Sequence, residues 1–488
     1  MKLARLTHAC LAALITFSSV AADLPDLGDS AVGELPPHEE HRIADIVARE
    51  LRQSGEAEDD PEIVDYLNRL GYQLASNSND STINFRFYPI SSPEINAWAI
   101  PGGIIGVNLG LIVLTQHESE LAAVMAHEVG HVTQHHYARM IQSQKGQGFL
   151  TLASIALAIL AARNSSNPDT AAGAIQATQG YQIQRQINFT REFEREADQT
   201  GMQTLQKAGF DPHAMPIFFD RMQHFYRNME NGALSFLQTH PVTTERIASA
   251  QARIADMPYK QWTDSPDYLF VREKARCLQL GVNGALDYYA GTTQQKKYAS
   301  EVAQEYGNAY ALYRAKRYDE AWTKISEVRK RFGDAQPMLD SLAGNIRLEQ
   351  RRYDEAEAIF ATAATRFPSA PSIYYGHIDV ELRAGKLQDA AHATEDELGR
   401  HKSDPGLYQR LAQAYSGLNE PTQSHRAMAD YYALLGETTA AIQQIQIALK
   451  AGGDFYQMSA LEARLKELRQ QLPVDKHGKV IEEKPDGP

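Results

Sequence analysis

Three prolines set the strongest constraint on how this chain can fold. Pro337, Pro371 and Pro405 stand 34 residues apart. The pentapeptide Arg317-Tyr318-Asp319-Glu320-Ala321 returns 35 residues later as Arg352-Tyr353-Asp354-Glu355-Ala356, and more loosely 34 residues further on as Lys386-Leu387-Gln388-Asp389-Ala390. A period of that length accommodates a helix, a turn and a second helix closed by proline. One such unit cannot bury its apolar face alone, so neighbours must stack and the chain beyond about residue 300 must become an all-α array. Ala343, Gly344 and Ala356 are the small residues that let paired helices approach. Glu437 to Leu449 reads as a further repeat helix out of strict phase, and the charged tail from Pro473, with its Pro and Gly, reads as disordered.

The second constraint is chemical. His127-Glu128-Val129-Gly130-His131 is an H-E-x-x-H pattern. Histidines four apart on a helix lie on one face with a rise of about 6 Å, so both imidazoles can converge on one ion. Glu128, beside the first histidine, stands near such an ion without ligating it, where it can accept a proton from an activated water. His135 and His136 follow closely. His127 and His135 would be about 12 Å apart along a helix and cannot share an ion. A His131/His135 pair would lack an adjacent base, so His135 and His136 read as exposed or supporting residues.

The surrounding segments frame that helix. Glu40 to Gln53 and the stretch from Pro61 to Leu74 have apolar residues at helical spacing. Asn84 to Ile90, Asn96 to Ile100 and Ile104 to Val107 read as strands, the last two joined by Pro101-Gly102-Gly103, and together they predict a small antiparallel sheet. Thr115-Gln116-His117-Glu118 matches a capping box, predicting a helix that carries the motif on to Arg139. Phe149 to Ala162 is an apolar run too short to cross a bilayer as a regular helix; it reads as a buried or lid-forming helix, the alternative being a membrane-surface or substrate-contacting segment. Asn164 to Pro168 is a loop, and a helix runs from Arg191 to Lys207.

At 488 residues the chain exceeds one ordinary core. Lys2 and Arg5, an apolar stretch from Ala9 to Phe17 and Val20-Ala21-Ala22 form a secretory leader with cleavage expected after Ala22. Losing it changes the formal charge from −13 to −15, a balance that argues against nucleic acid as a partner. Cys10 leaves with the leader, so Cys277 has no disulfide partner.

A catalytic zinc takes three protein ligands and keeps one open position. Arg191 to Asp198 offers Glu192, Glu194 and Glu196, and spacing does not choose among them. Here the chain resembles the HtpX-like and CAAX-prenyl-protease zinc metallopeptidases, in which H-E-x-x-H is followed by E-x-x-A-D, as Glu194-Arg195-Glu196-Ala197-Asp198 is here. The resemblance implies Zn2+ held by His127, His131 and Glu194, with Glu128 as the catalytic base and Asp198 supporting the site. Asn96-Ala97-Trp98 and Pro101-Gly102-Gly103 match the segment whose strand lines the substrate cleft, which implies a cleft role for Asn96, Gly103 and Ile105.

A leader, this domain, Thr239-His240-Pro241 with Arg246, and tetratricopeptide-type repeats together resemble periplasmic proteases of outer-membrane protein quality control. That likeness implies misassembled outer-membrane proteins as substrates, docking to the β-barrel assembly machinery through the repeats, His240 as an additional ligand that restrains activity, and Arg246 as support. Peripheral membrane contact is compatible with it. The expected fold class is α+β: a mainly helical zinc metallopeptidase domain with a small β-sheet, then an all-α tetratricopeptide-repeat solenoid. The expected divisions are a leader over 1–22, a peptidase domain over 23–270, a connection over 271–300, repeats over 301–470 and a tail over 471–488. A chaperone-like adaptor with a structural metal site is the alternative, and the intact Glu128 speaks against it.

Overall fold

The computed structural model describes residues 35–80, 82–143, 191–227, 236, 240–255, 262–333 and 335–472. The leader, the apolar run 149–162, the loop at 164–168 and the tail from 473 lie outside the described residues. Within them, helices dominate and one three-stranded sheet lies beside the H-E-x-x-H helix, followed by helical repeats. No described helix is long and apolar enough to cross a membrane.

The first part comprises α1 (Pro37–Gln53), α2 (Pro61–Ala75), β1 (Arg86–Ile90), β2 (Ala97–Ile100), β3 (Ile104–Asn108), α3 (Leu109–Leu114), α4 (Glu118–Thr133) and α5 (His136–Ser143). Pro61 opens α2 at its first position, and the Asp60 carboxylate accepts from the Glu62 and Ile63 amides, so donors left bare at a helix start are capped. The sheet order is β1-β3-β2, with β1 parallel and β2 antiparallel to β3, so the expected antiparallel sheet is corrected to a mixed one. Alternating apolar residues identify strands, but they do not say which strand takes the middle. Pro101-Gly102-Gly103 closes the β2–β3 hairpin with both glycines in the left-handed region, φ +83° and +85°. β2 is left as an edge.

The capping box also needs correction. Thr115 terminates α3, its hydroxyl donating to the Ile112 carbonyl, and His117 is the N-cap of α4 without a side-chain cap. The Glu120 carboxylate instead accepts from the Gln116 amide at 2.8 Å. Nor does one helix run on to Arg139. His135 adopts φ +50°, and the break between α4 and α5 turns the chain there. α4 itself is buried from Ser119 to Thr133, as befits a helix surrounded by packing partners on all sides.

Among the described residues, four further helices follow: α6 (Arg191–Lys207), α7 (Ala214–Arg227), α8 (Thr244–Ile254) and the long α9 (Pro266–Gln295), which breaks at Gly281. From Glu301–Arg314 to Phe455–Gln470 the described residues form five consecutive helix pairs. The repeat prolines Pro337, Pro371 and Pro405 each open a helix at its first position, where the missing amide hydrogen costs nothing. One hydrophobic cluster runs from Leu121 and Met125 through Phe270 to Tyr306 and Ile325, so the peptidase core and the first repeat share a continuous interior. A buried ion pair ties α9 to the start of α2: Lys274 lies 2.6 Å from Asp60 and 2.5 Å from Glu62.

Deeper in the array, Gly344 and Gly376 flank the Phe360 ring; a Cβ at either would stand 2.5 Å or 2.1 Å from it. On the helix Pro371–Ala384, Glu381 is buried and its Oε2 has no hydrogen-bond partner among the described residues. Burial, with Asp389 and Glu357 nearby, pushes its carboxyl up to about 7. A folded value above the unfolded one adds stability that is present in acid and lost as pH rises through about 7. Glu381→Gln is therefore expected to leave the thermal midpoint unchanged at about pH 4 and raise it at about pH 8, as read by circular dichroism.

Candidate metal centre

The crossing of two helices, α4 and α6, frames this site, and glycine decides how near they come. A Cβ at Gly130 on α4 would stand 2.8 Å from the Thr200 hydroxyl and 3.1 Å from the Ala197 carbonyl; one at Gly201 on α6 would stand 3.0 Å from the His127 amide. Hydrogen in those places lets the helices cross almost backbone to backbone. Glu194 and Asp198, one turn apart on α6, then face His127 and His131, one turn apart on α4.

The result is a compact donor set. His127 Nε2 and His131 Nε2 are 3.0 Å apart. Glu194 Oε2 is 3.5 Å from the first and Glu194 Oε1 is 3.4 Å from the second. His240 Nδ1 completes the group, 3.3 Å from His127 Nε2 and 3.1 Å from Glu194 Oε1. One donor atom from each of these four residues falls within a 4.8 Å sphere of mutual separations. Ligands about 2.0–2.1 Å from a tetrahedral ion stand about 3.3 Å from one another, so the set fits a single metal ion. All four side chains are buried.

The three glutamates left open by spacing are now distinguished. Glu192 is exposed, Glu194 points into the donor set, and Glu196 pairs outward with Arg139 at 2.8 Å and lies 3.4 Å from His136 Nε2. Asp198 stands 3.0 Å from His127 Nδ1. Arg246, carried by α8, donates from Nε and Nη2 to the two Asp198 oxygens at 2.8 and 2.7 Å and lies 2.7 Å from Glu194 Oε2. Its guanidinium is nine-tenths buried or more, and its charge offsets two carboxylates that have left water.

The electrostatics follow from burial opposed by pairing. Burial lowers the His127 ring, but Asp198 and Glu194 outweigh it and carry it to about 9. Burial also lowers His131, and there the carboxylate contact is insufficient, so it stays well below the usual range. Nε2 faces Nε2 at 3.0 Å in this pair, and a metal ion bound there would displace any proton held between the rings. Burial raises Glu194 and Asp198, yet His240 and Arg246 hold the first, and Arg246 the second, below the ordinary carboxylate range. Burial raises the Glu128 carboxyl, with His240 and His127 acting against the rise. Glu128 Oε1 accepts no hydrogen bond among the described residues, and His240 Nε2 is 3.5 Å away.

Three residues expected beside a cleft are not part of this cluster. Asn96 precedes β2, fully buried, with neither amide atom paired among the described residues. Gly103 lies in the β2–β3 turn, and Ile105 is fully buried on the central strand β3. Two residues that the sequence did not single out as functional do approach the site. His136, read only as exposed or supporting, is fully buried with Nδ1 2.9 Å from His131 Nδ1. Tyr137 donates its hydroxyl to the Ala99 carbonyl on the outer edge of β2. The unrecognised signal was the helix break at His135.

A buried H-E-x-x-H helix crossed by a glutamate-bearing helix defines the class as metallopeptidase. The chain belongs to peptidase family M48, whose model matches residues 62–254; a tetratricopeptide-repeat model matches residues 341–406. Over 465 residues the chain is 33% identical to the beta-barrel assembly-enhancing protease of Escherichia coli strain K12, covering 93% of each. It is 32% identical over 423 residues to a protein of Vibrio cholerae named as a putative beta-barrel assembly-enhancing protease, covering 86% of this chain and 87% of that one. The mitochondrial metalloendopeptidase OMA1 of Schizosaccharomyces pombe is 28% identical over 201 residues, 41% of this chain and 55% of that protein.

Removing Arg246 leaves Asp198 and Glu194 as uncompensated buried charges. Arg246→Ala is expected to destabilise the metal-free protein by about 3–5 kcal/mol, measured by denaturant unfolding, with Arg246→Lys recovering only part because it cannot make the two-pronged contact.

Proposed function

We propose that this chain is a zinc endopeptidase of the periplasm that removes misassembled outer-membrane proteins and assists their assembly. The observation that carries the chemistry is the convergence of His127, His131 and Glu194 beside the buried Glu128 carboxylate, whose Oε1 accepts no hydrogen bond among the described residues. All nitrogen and oxygen donors, with no thiolate, suit Zn2+ in a peptidase setting. When bound, that ion would polarise a water molecule and the scissile carbonyl. Glu128 would accept the water proton and return it to the leaving amine. Asp198, fixed by Arg246, would hold His127 with its Nδ1–H directed away from the metal position and its Nε2 lone pair directed toward it.

The place and the substrates are inferred from the relatives named above, from the leader expected over 1–22, and from repeats suited to binding proteins. The repeats would dock the β-barrel assembly machinery. The relatives' names favour the protease reading over an adaptor with a structural metal. β2, an edge strand with Ala99 held by Tyr137, would receive an extended substrate by strand addition.

His240 supports a closed resting state, because it occupies the fourth donor position and reaches toward Glu128. It would have to leave before substrate could enter. His240→Ala is expected to raise the cleavage rate of an unfolded outer-membrane protein several-fold; an unchanged or lower rate at full metal loading would discard the restraint.

Glu128→Gln is expected to keep the metal, measured by elemental analysis, and to lose cleavage by about two to four orders of magnitude, the usual scale for a general base. Retained cleavage would sink the assignment. Rescue of barrel assembly by the Glu128→Gln protein would instead reveal an assembly role independent of hydrolysis.

A further inference from the structure

The two histidines of the motif are supported differently, and the second support is made by residues outside the motif. His127 has the Asp198 carboxylate at 3.0 Å from Nδ1. His131 has another imidazole: His136 Nδ1 stands 2.9 Å from His131 Nδ1, and His136 Nε2 stands 3.4 Å from Glu196 Oε2. Glu196 is in turn held by Arg139 Nη1 at 2.8 Å. The His136 ring is fully buried and stacked on Phe193, with centroids 4.7 Å apart and planes 15° from parallel. The Arg139 guanidinium lies 4.8 Å over Phe193, so one cation both orients the carboxylate and covers the stack.

The backbone is bent to make this contact. On an uninterrupted helix, a residue five positions on is rotated by about 140°, too far to meet its neighbour ring to ring. The left-handed His135, φ +50°, ends α4 and redirects α5 so that His136 folds back over the last turn. The hydrogen bonds then have one consistent direction. If His131 offers its Nε2 lone pair inward, its proton is on Nδ1 and is donated to His136 Nδ1. His136 must then carry its own proton on Nε2, where Glu196 accepts it.

We propose that His136 is a positioning residue for the metal site, holding His131 in the tautomer and ring orientation that a metal ion requires, with Glu196 and Arg139 as its anchor. The inference rests on His131 being a metal ligand. It adds that the support for His131 reaches the protein surface through Glu196, one-third exposed, whereas the support for His127 ends on buried Arg246.

The test is zinc affinity of the full-length protein, measured by competition with a chromophoric chelator, for His131→Ala, His136→Leu, His136→Asn and Glu196→Leu. His136→Leu keeps volume but removes the acceptor, and is expected to weaken zinc binding by about 10–100-fold. His136→Asn, whose side-chain oxygen can stand near the Nδ1 position, should recover most of that loss. Glu196→Leu leaves the ring in place and should weaken zinc binding by a smaller factor while lowering kcat more than it alters KM. Wild-type affinity in folded His136→Leu, or an Asn variant no better than the Leu variant, would overturn the proposal. If His136→Leu does not fold, unchanged zinc affinity in Glu196→Leu would overturn it instead. Unweakened binding in His131→Ala would show that the ligand assignment itself has failed, and so separates the two failures.

Discussion

The close crossing of α4 and α6 is the contact on which the rest of the site depends. Two hydrogens, at Gly130 and Gly201, stand where side chains would hold the helices apart. Everything chemical follows from that approach. Glu194 reaches the histidines, Asp198 reaches the far side of His127, and both carboxylates enter a space where an unpaired charge would be costly. Arg246 makes the arrangement tolerable by pairing with both. The site is therefore a balance of buried charges assembled from three helices, with Glu128 buried beside them and its Oε1 3.5 Å from His240 Nε2.

The same interior binds catalytic and repeat regions together. The hydrophobic cluster around α4 continues into the first repeats, and Lys274 on α9, the helix leading into them, pairs with Asp60 and Glu62 at the start of α2. A repeat array so attached does not hang from a loose tether. Its first helices pack against α9 and share the cluster that includes α2 and α4.

Some of this was legible because it is local or periodic. Histidines one turn apart need only a helix to share a face, and prolines 34 residues apart need only equal repeats to open equivalent helices. Other features were illegible because they depend on partners remote in sequence. Glu192, Glu194 and Glu196 differ only by their phase around α6, and that phase acquires meaning only against α4. Thr115 looked like a cap because the short helix α3 before it was not recognised. The sheet became mixed because β3 is shared by β1 and β2, a choice that apolar alternation does not encode.

By itself, then, the amino-acid order determined the repeat array, the H-E-x-x-H helix with Glu128 beside His127, and the helix bearing the acidic residues. Each is written within a few turns of backbone. Resemblance to a peptidase family pointed further, to Glu194, Asp198 and His240. Only the tertiary structure decided how these meet: which glutamate turns inward, that His240 joins the donor cluster, that Arg246 balances the carboxylates, and that a break at His135 lays His136 against His131. Those are contacts across helices, set by packing distance and by the cost of burying charge, and no spacing along the chain contains them.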